Sequence, residues 1–203
     1  MKRYKKHQIN DLVCILKNDG VISVPTDTVY GLCARVNSKK AYENLVIAKN
    51  RPSFKNFPIM CINLEQIKNI AQVDKKAEKL INTFMPGPIT LILNKKKDTL
   101  NNGGDRETDE IAIRMAPTKI LKELIEELGS PILMTSANQN GEEICKTLDE
   151  IEKKCPLING MMEGDLLYQK ASTIVDCTQE EIKIQREGPI SKEEILDALK
   201  SDN

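Results

Sequence analysis

A chain of 203 residues with 40% apolar side chains can bury a sizeable core, and 30% charged residues are ordinary for a soluble globular protein. Basic and acidic residues balance at 30 each, yet residues 1–60 hold 11 basic and 4 acidic side chains, a surplus of 7 suited to a polyanion or RNA, although a solvated basic face is its commoner cause. One histidine, His7, excludes a His-based triad and a His-rich zinc site, and six cysteines without a CxxC pair read as reduced, mostly buried thiols.

The basic start "MKRYKKHQIN", which carries His7, is expected to be mobile. The next stretch, "DLVCILKNDG", is too short and too charged for a signal or membrane segment, so the expected setting is cytoplasmic, with no membrane partner. Ile9, Leu12, Val13 and Leu16 share a helical face, and Gly20 stops that helix. "VISVP" reads as a buried strand and "KKAYENLVIAKN" as a helix carrying Ala41, Leu45 and Ala48 at helical spacing. Pro52 forbids its continuation and pushes Arg51 out of the helical region. "FPIMCI" is a further strand, and "DKKAEKLINTF" an amphipathic helix ending before "MPGP". "ITLIL", "EIAIRM", "PILMTS" and "STIVDC" are short β-rich runs, with the helix "KILKELIEELG" between the middle two. "IKIQR" adds a strand, and "SKEEILDAL" a Ser-capped helix with Glu at the capping-box position. Residues 94–109, Gly/Asn-rich and charged, read as a surface connection in preference to a lid. The interleaving predicts one α/β domain over residues 1–203 built on a large sheet.

Four stretches carry candidate chemistry. "VPTDTVYGL" presents the hydroxyls of Thr26 and Thr28 at a strand end, and Gly31 permits close backbone approach; the plainer reading is a hydroxyl-rich turn. "AKNRPSFKNFPIM" (48–60) gathers Lys49, Arg51 and Lys55 without an acid. Arg offers phosphate a planar fork and Lys a point charge, so the trio suits a triphosphate grip. A helix end answering its own macrodipole, worth under ~1 kcal/mol, explains it equally well. "PILMTSANQNG" delivers Thr135, Ser136 and Asn138 at the carboxyl end of a strand, where α/β sheets bind ligands, although Asx and Ser turns use the same residues. "ASTIVD" and "QREGPIS" add Ser172 and Arg186, each weak alone, while Pro86-Gly87-Pro88 reads as a structural turn.

Taken in order, "PTDTVYGL", "KNRP", "PGPITLIL", "AIRMAP", "SANQNG", "STIVD" and "REG" resemble the YrdC/Sua5 family, the threonylcarbamoyl-AMP synthases of tRNA modification. The likeness spans about residues 8–190, with a terminal helix over 191–200, and matches the short, single-domain type. It implies a YrdC-like α/β domain with a twisted, mixed open sheet flanked by helices. The implied reaction joins ATP, L-threonine and bicarbonate, with Mg²⁺ on the ATP phosphates and no metal-ligating residue, and releases pyrophosphate. The product would pass to a downstream threonylcarbamoyl-transferase complex acting on adenosine 37 of tRNA. By matching motif positions, Lys49 and Arg51 would act on the phosphates, with Lys55, Asn138, Thr147 and Arg186 also binding ATP. Thr28, Met60, Arg114, Ser136 and Ser172 would hold L-threonine, Arg114 through its carboxylate. Met60 stands where many relatives have His, Glu110 where a Thr is common, and "GEEICKT" replaces a Ser/Pro-rich turn.

The missing imidazole suits this chemistry. A carbamate attacking the α-phosphorus is already an anion, so positioning and charge stabilisation suffice at that step. Two other readings stay open. One is a module that binds double-stranded RNA or tRNA without turnover, for which 3% aromatic residues and no Trp leave little base stacking. The other is the related carbamoyl-adenylate domain of hydrogenase-maturation proteins.

Overall fold

The described residues of the computed structural model, 1–52, 56–97, 99–100 and 109–200, alternate short strands with helices. In chain order these are β1 (Arg3–Tyr4), α1 (Ile9–Lys17), β2 (Ile22–Pro25), β3 (Tyr30–Arg35), α2 (Lys39–Lys49), β4 (Ile59–Cys61), α3 (Leu64–Ile70) and α4 (Lys75–Phe84). They continue with β5 (Ile89–Asn94), β6 (Glu110–Met115), α5 (Lys119–Leu128), β7 (Ile132–Ser136), α6 (Leu148–Lys154), β8 (Gly160–Met162), β9 (Thr173–Asp176), β10 (Lys183–Arg186) and α7 (Lys192–Lys200).

All ten strands join one sheet in the order β1-β8-β2-β3-β7-β4-β6-β5-β9-β10. Parallel neighbours (such as β2 with β8, β4 with β6, β5 with β9) occur together with antiparallel ones (such as β2 with β3, β3 with β7, β5 with β6), so the sheet is mixed, as expected. It is buried on both faces. In β3, Leu32 and Ala34 belong to one apolar core and Cys33 to the other, which follows from the two-residue side-chain period. Leu12, Val13 and Leu16 of α1 pack with Leu121, Leu124 and Ile125 of α5 against one face. Buried residues of α2, α3, α4, α6 and α7 cover the other. Five of the six cysteines are buried and only Cys14 is exposed.

Helix ends follow their local chemistry. Ser38, Asp74 and Thr118 each accept a main-chain N–H from three residues on, at the starts of α2, α4 and α5. Ser191 and Glu194 form the anticipated capping box at α7. Helix α2 stops at Lys49 because Asn50 takes a left-handed conformation (φ 47°, ψ 48°), which leaves Arg51 outside the helix.

The N-terminus departs from expectation. Arg3 and Tyr4 pair in parallel with Met161 and Met162, Arg3 forms ion pairs with Asp149 and Glu152, and residues Lys6–Gln8, including His7, form a 3-10 turn. Edge pairing and these carboxylates hold a stretch whose composition alone suggests mobility. Lys55 lies outside the described residues, as do 98 and 101–108 of the 94–109 segment, whose described ends are joined by Lys95 N donating to Asp109 O at 2.7 Å. Among the described residues, no helix is long and apolar enough to cross a membrane.

Candidate active site

A cavity of about 290 Å³ opens where the non-sequential strand order brings the motifs together. Strand β7 lies between β3 and β4, so Ser136 stands opposite Gly31, and β4 sets Met60 beside Arg114 on β6. An added Cβ on Gly31 would collide with the Met134 sulfur, so a side chain there would disturb the cavity wall.

One end is built around Lys49. Its ammonium, buried at the last turn of α2, donates to the Ser136 carbonyl at 2.6 Å, to Ser136 Oγ at 3.3 Å and to Asn138 Oδ1. Ser136 Oγ in turn donates to Asn138 Oδ1 at 2.7 Å, and Asn138 Nδ2 donates to the Glu142 carbonyl at 2.7 Å. Every oxygen in this cluster is formally neutral. Burial therefore lowers the Lys49 pKa to about 8, and the Arg51 charge pushes in the same direction. Arg51 lines the same cavity, donates to the Asn56 carbonyl at 2.9 Å, and stacks 5.0 Å from the centre of the Phe57 ring. Burial also lowers its pKa.

The other end is built around Arg114, which is 8% exposed. Nε donates to the Gly87 carbonyl at 3.1 Å, Nη1 to Thr28 Oγ1 at 2.9 Å, and Nη2 pairs with Asp27. Thr28 is held by Thr26 through a 2.9 Å hydroxyl contact, and Thr26 Oγ1 donates to the Val29 carbonyl at 2.7 Å. Lining the cavity with them, Ser172 Oγ lies 2.9 Å from Thr90 Oγ1, and Arg186 donates twice to the Ser172 carbonyl, at 3.0 and 2.9 Å. Burial lowers the pKa of both arginines; for Arg114, Asp27 opposes that shift.

Thr28, Lys49, Arg51, Met60, Arg114, Ser136, Asn138, Ser172 and Arg186 therefore meet in one cavity. Thr147 does not line it. Its hydroxyl accepts the Glu150 N–H at 3.2 Å as the N-cap of α6, so a motif-based assignment to ATP meets a local capping role instead. Ser136, matched to the amino-acid side, has its hydroxyl in the Lys49–Asn138 cluster, and Arg186, matched to the nucleotide, touches Ser172. The motif matches give no site role to three participants: Asp27, Thr90 and the Gly87 carbonyl. Thr90 alone carries a usable signal, a hydroxyl within the apolar run "ITLIL". The turn formed by Pro86-Gly87-Pro88 is more than structural, since its carbonyl orients Arg114.

A family model described as "Telomere recombination" (Sua5_yciO_yrdC) matches residues 14–188. The chain belongs to this family. Among its relatives, the uncharacterized protein YciO of Escherichia coli (strain K12) is 32% identical over 185 residues, covering 89% of this chain and 88% of that one. The threonylcarbamoyl-AMP synthase of Bacillus subtilis (strain 168) is 30% identical over 191 residues, 93% of this chain and 55% of that one. Among solved structures, P. abyssi Sua5 complexed with L-threonine matches with a TM-score of 0.87 at 26% identity, covering 97% of this chain and 60% of that one. The Sua5/YciO/YrdC family thus includes proteins named threonylcarbamoyl-AMP synthase and a member whose structure contains L-threonine. This chain spans little more than half of the synthase and of Sua5, and most of YciO.

Proposed function

We propose that the protein forms threonylcarbamoyl-AMP from ATP, L-threonine and bicarbonate, releasing pyrophosphate, in the pathway to threonylcarbamoyladenosine at position 37 of tRNA. The observation that carries this reading is one cavity with two unlike ends. Lys49 and Arg51 offer cations to a polyphosphate at one end, and Arg114, Thr28 and Ser172 offer a guanidinium and hydroxyls to an amino acid at the other. Catalysis then needs no imidazole. The threonine carbamate supplies its own negative oxygen, attacks the α-phosphorus and expels pyrophosphate, while Lys49 and Arg51 stabilise the charge on the phosphates.

Mg²⁺ fits as a companion of the nucleotide. Among the described residues, no three His, Cys, Asp or Glu side chains group together as a metal site would need, so on this reading the ion would be held by ATP oxygens. It would neutralise phosphate charge there. A pyrophosphate-release assay with each substrate omitted in turn tests the proposal. Release is expected only when ATP, L-threonine, bicarbonate and Mg²⁺ are all present. Equal release from ATP alone would refute it, and salt-sensitive RNA binding without turnover would favour a binding module.

A further inference from the structure

The two ends of the cavity differ in charge, and the difference traces to one residue. At the Lys49 end the ammonium is held by neutral oxygens of Ser136 and Asn138. At the other end Arg114 meets a carboxylate, Asp27, and the two side chains are only 9% and 11% exposed. Asp27 is not among the residues lining the cavity, so it acts through Arg114. Its main chain is also secured independently of Arg114. The Asp27 carbonyl accepts the Leu167 N–H at 3.0 Å and the Tyr168 N–H at 2.9 Å, and Thr26 Oγ1 accepts the next N–H, that of Thr28, at 3.1 Å. A ligand arriving at Arg114 therefore meets a carboxylate carried on a main chain that is fixed in place.

Arg186 brings a second guanidinium to this end, and its charge acts on Arg114. Two guanidiniums and one carboxylate leave a single net positive charge. A monocarboxylate matches that balance. A phosphate dianion exceeds it and would sit close to Asp27 in a compartment that screens charge poorly.

We infer that Asp27 is a specificity-determining residue: by neutralising Arg114 it reserves this end of the cavity for a monocarboxylate and confines phosphate to the Lys49–Arg51 end. This rests on reading Arg114 as the carboxylate partner, so its test uses inorganic phosphate, whose binding is measured without threonine or turnover. In a Lys49→Ala/Arg51→Ala protein, calorimetry should detect no phosphate binding while Asp27 is intact. Adding Asp27→Asn, which keeps an oxygen for Nη2 but removes the charge, should strengthen phosphate binding at least about tenfold. Asp27→Glu in the same background should exclude phosphate again.

Phosphate binding by the double-alanine protein with Asp27 intact, abolished by Arg114→Gln, overturns the inference. So does an Asp27→Asn variant with a normal melting curve that binds phosphate no tighter than its parent. The first measurement leaves Asp27 untouched, so it decides the matter even where Asp27→Asn fails to fold. Failure of the parent protein to bind L-threonine would instead count against the synthase reading, and leaves the phosphate comparison intact.

Discussion

Lys49 Nζ lies 2.6 Å from the main-chain oxygen of Ser136, 87 residues further along the chain, so the last turn of α2 and the end of β7 meet at one ammonium. The cation is held in advance by neutral acceptors. Replacing both Lys49 and Arg51 by Ala should reduce ATP affinity at least ~30-fold, the low end for removing a desolvated charge partner. The melting temperature should stay near normal, because relief of the desolvation cost of the buried Lys49 ammonium offsets the loss of its hydrogen bonds to Ser136 and Asn138. Arg51→Lys should also bind ATP poorly, since a point charge cannot replace a planar fork. Titration calorimetry beside a melting curve separates these effects; near-parental ATP affinity in the double variant rejects the phosphate role.

The Lys49 pKa, lowered by burial from 10.5 to about 8, makes polyphosphate binding pH-dependent. A bound polyphosphate favours the charged lysine, so near pH 8 binding should take up about half a proton, and affinity should fall as pH rises through that value. Calorimetry in buffers of different ionisation enthalpy measures the uptake. For stability the sign is opposite. Between about 8 and 10.5 the unfolded chain keeps a proton that the folded protein has lost, so this group's contribution to stability rises with pH across that window. An uptake unchanged by Lys49→Ala would assign it elsewhere.

Arg114→Ala should weaken L-threonine binding by ~2–5 kcal/mol, because the ligand carboxylate loses its partner and Asp27 is left buried without Nη2. Ser172→Ala removes one neutral hydrogen-bonding hydroxyl and should cost about 1 kcal/mol. ATP affinity should change little in either. Unaltered threonine affinity in both variants would remove them from the site.

Gly188, the glycine of "REG", packs so closely on the 171–173 backbone that an added Cβ would lie 2.6 Å from the Ser172 carbonyl carbon. Gly188 N also donates to Thr173 Oγ1 at 2.9 Å. Neither backbone can yield cheaply, so Gly188→Ala should destabilise the fold by ~1–3 kcal/mol and displace Ser172. Denaturant unfolding and threonine titration should both register it; parental behaviour in both would refute the close-packing role.

Thr147→Ala should cost ~0.5–2 kcal/mol of stability through loss of the α6 N-cap, and leave ATP affinity unchanged. A selective loss of ATP binding with unchanged unfolding would restore Thr147 to the site.

Elements with a sustained local pattern are legible in the chain. Leu12 and Leu16 of α1, Leu121 and Ile125 of α5, and the apolar runs of β5 and β7 each carry their own period, so one stretch of sequence suffices to specify the element. Strand β8, "GMM", and helices α3 and α6, seven residues each, carry no such pattern, since pieces this short gain their stability from tertiary packing. Strand β3 hides in the tail of a motif, because buried "YGLCAR" shows no polar alternation. The same holds at the site. Lys49, Arg51, Arg114, Asn138 and Ser172 can be named from ordered motifs, since each residue type carries its chemistry with it. That Asp27 faces Arg114, that Thr90 meets Ser172 and that Thr147 turns away to cap α6 depends on partners 87, 82 and three residues distant. The long-range pairings follow from a strand order unlike the chain order, which only the folded sheet decides. Thr147 has two competing uses for one hydroxyl, and the local contact with the Glu150 N–H takes it while the fold leaves Thr147 outside the cavity lining.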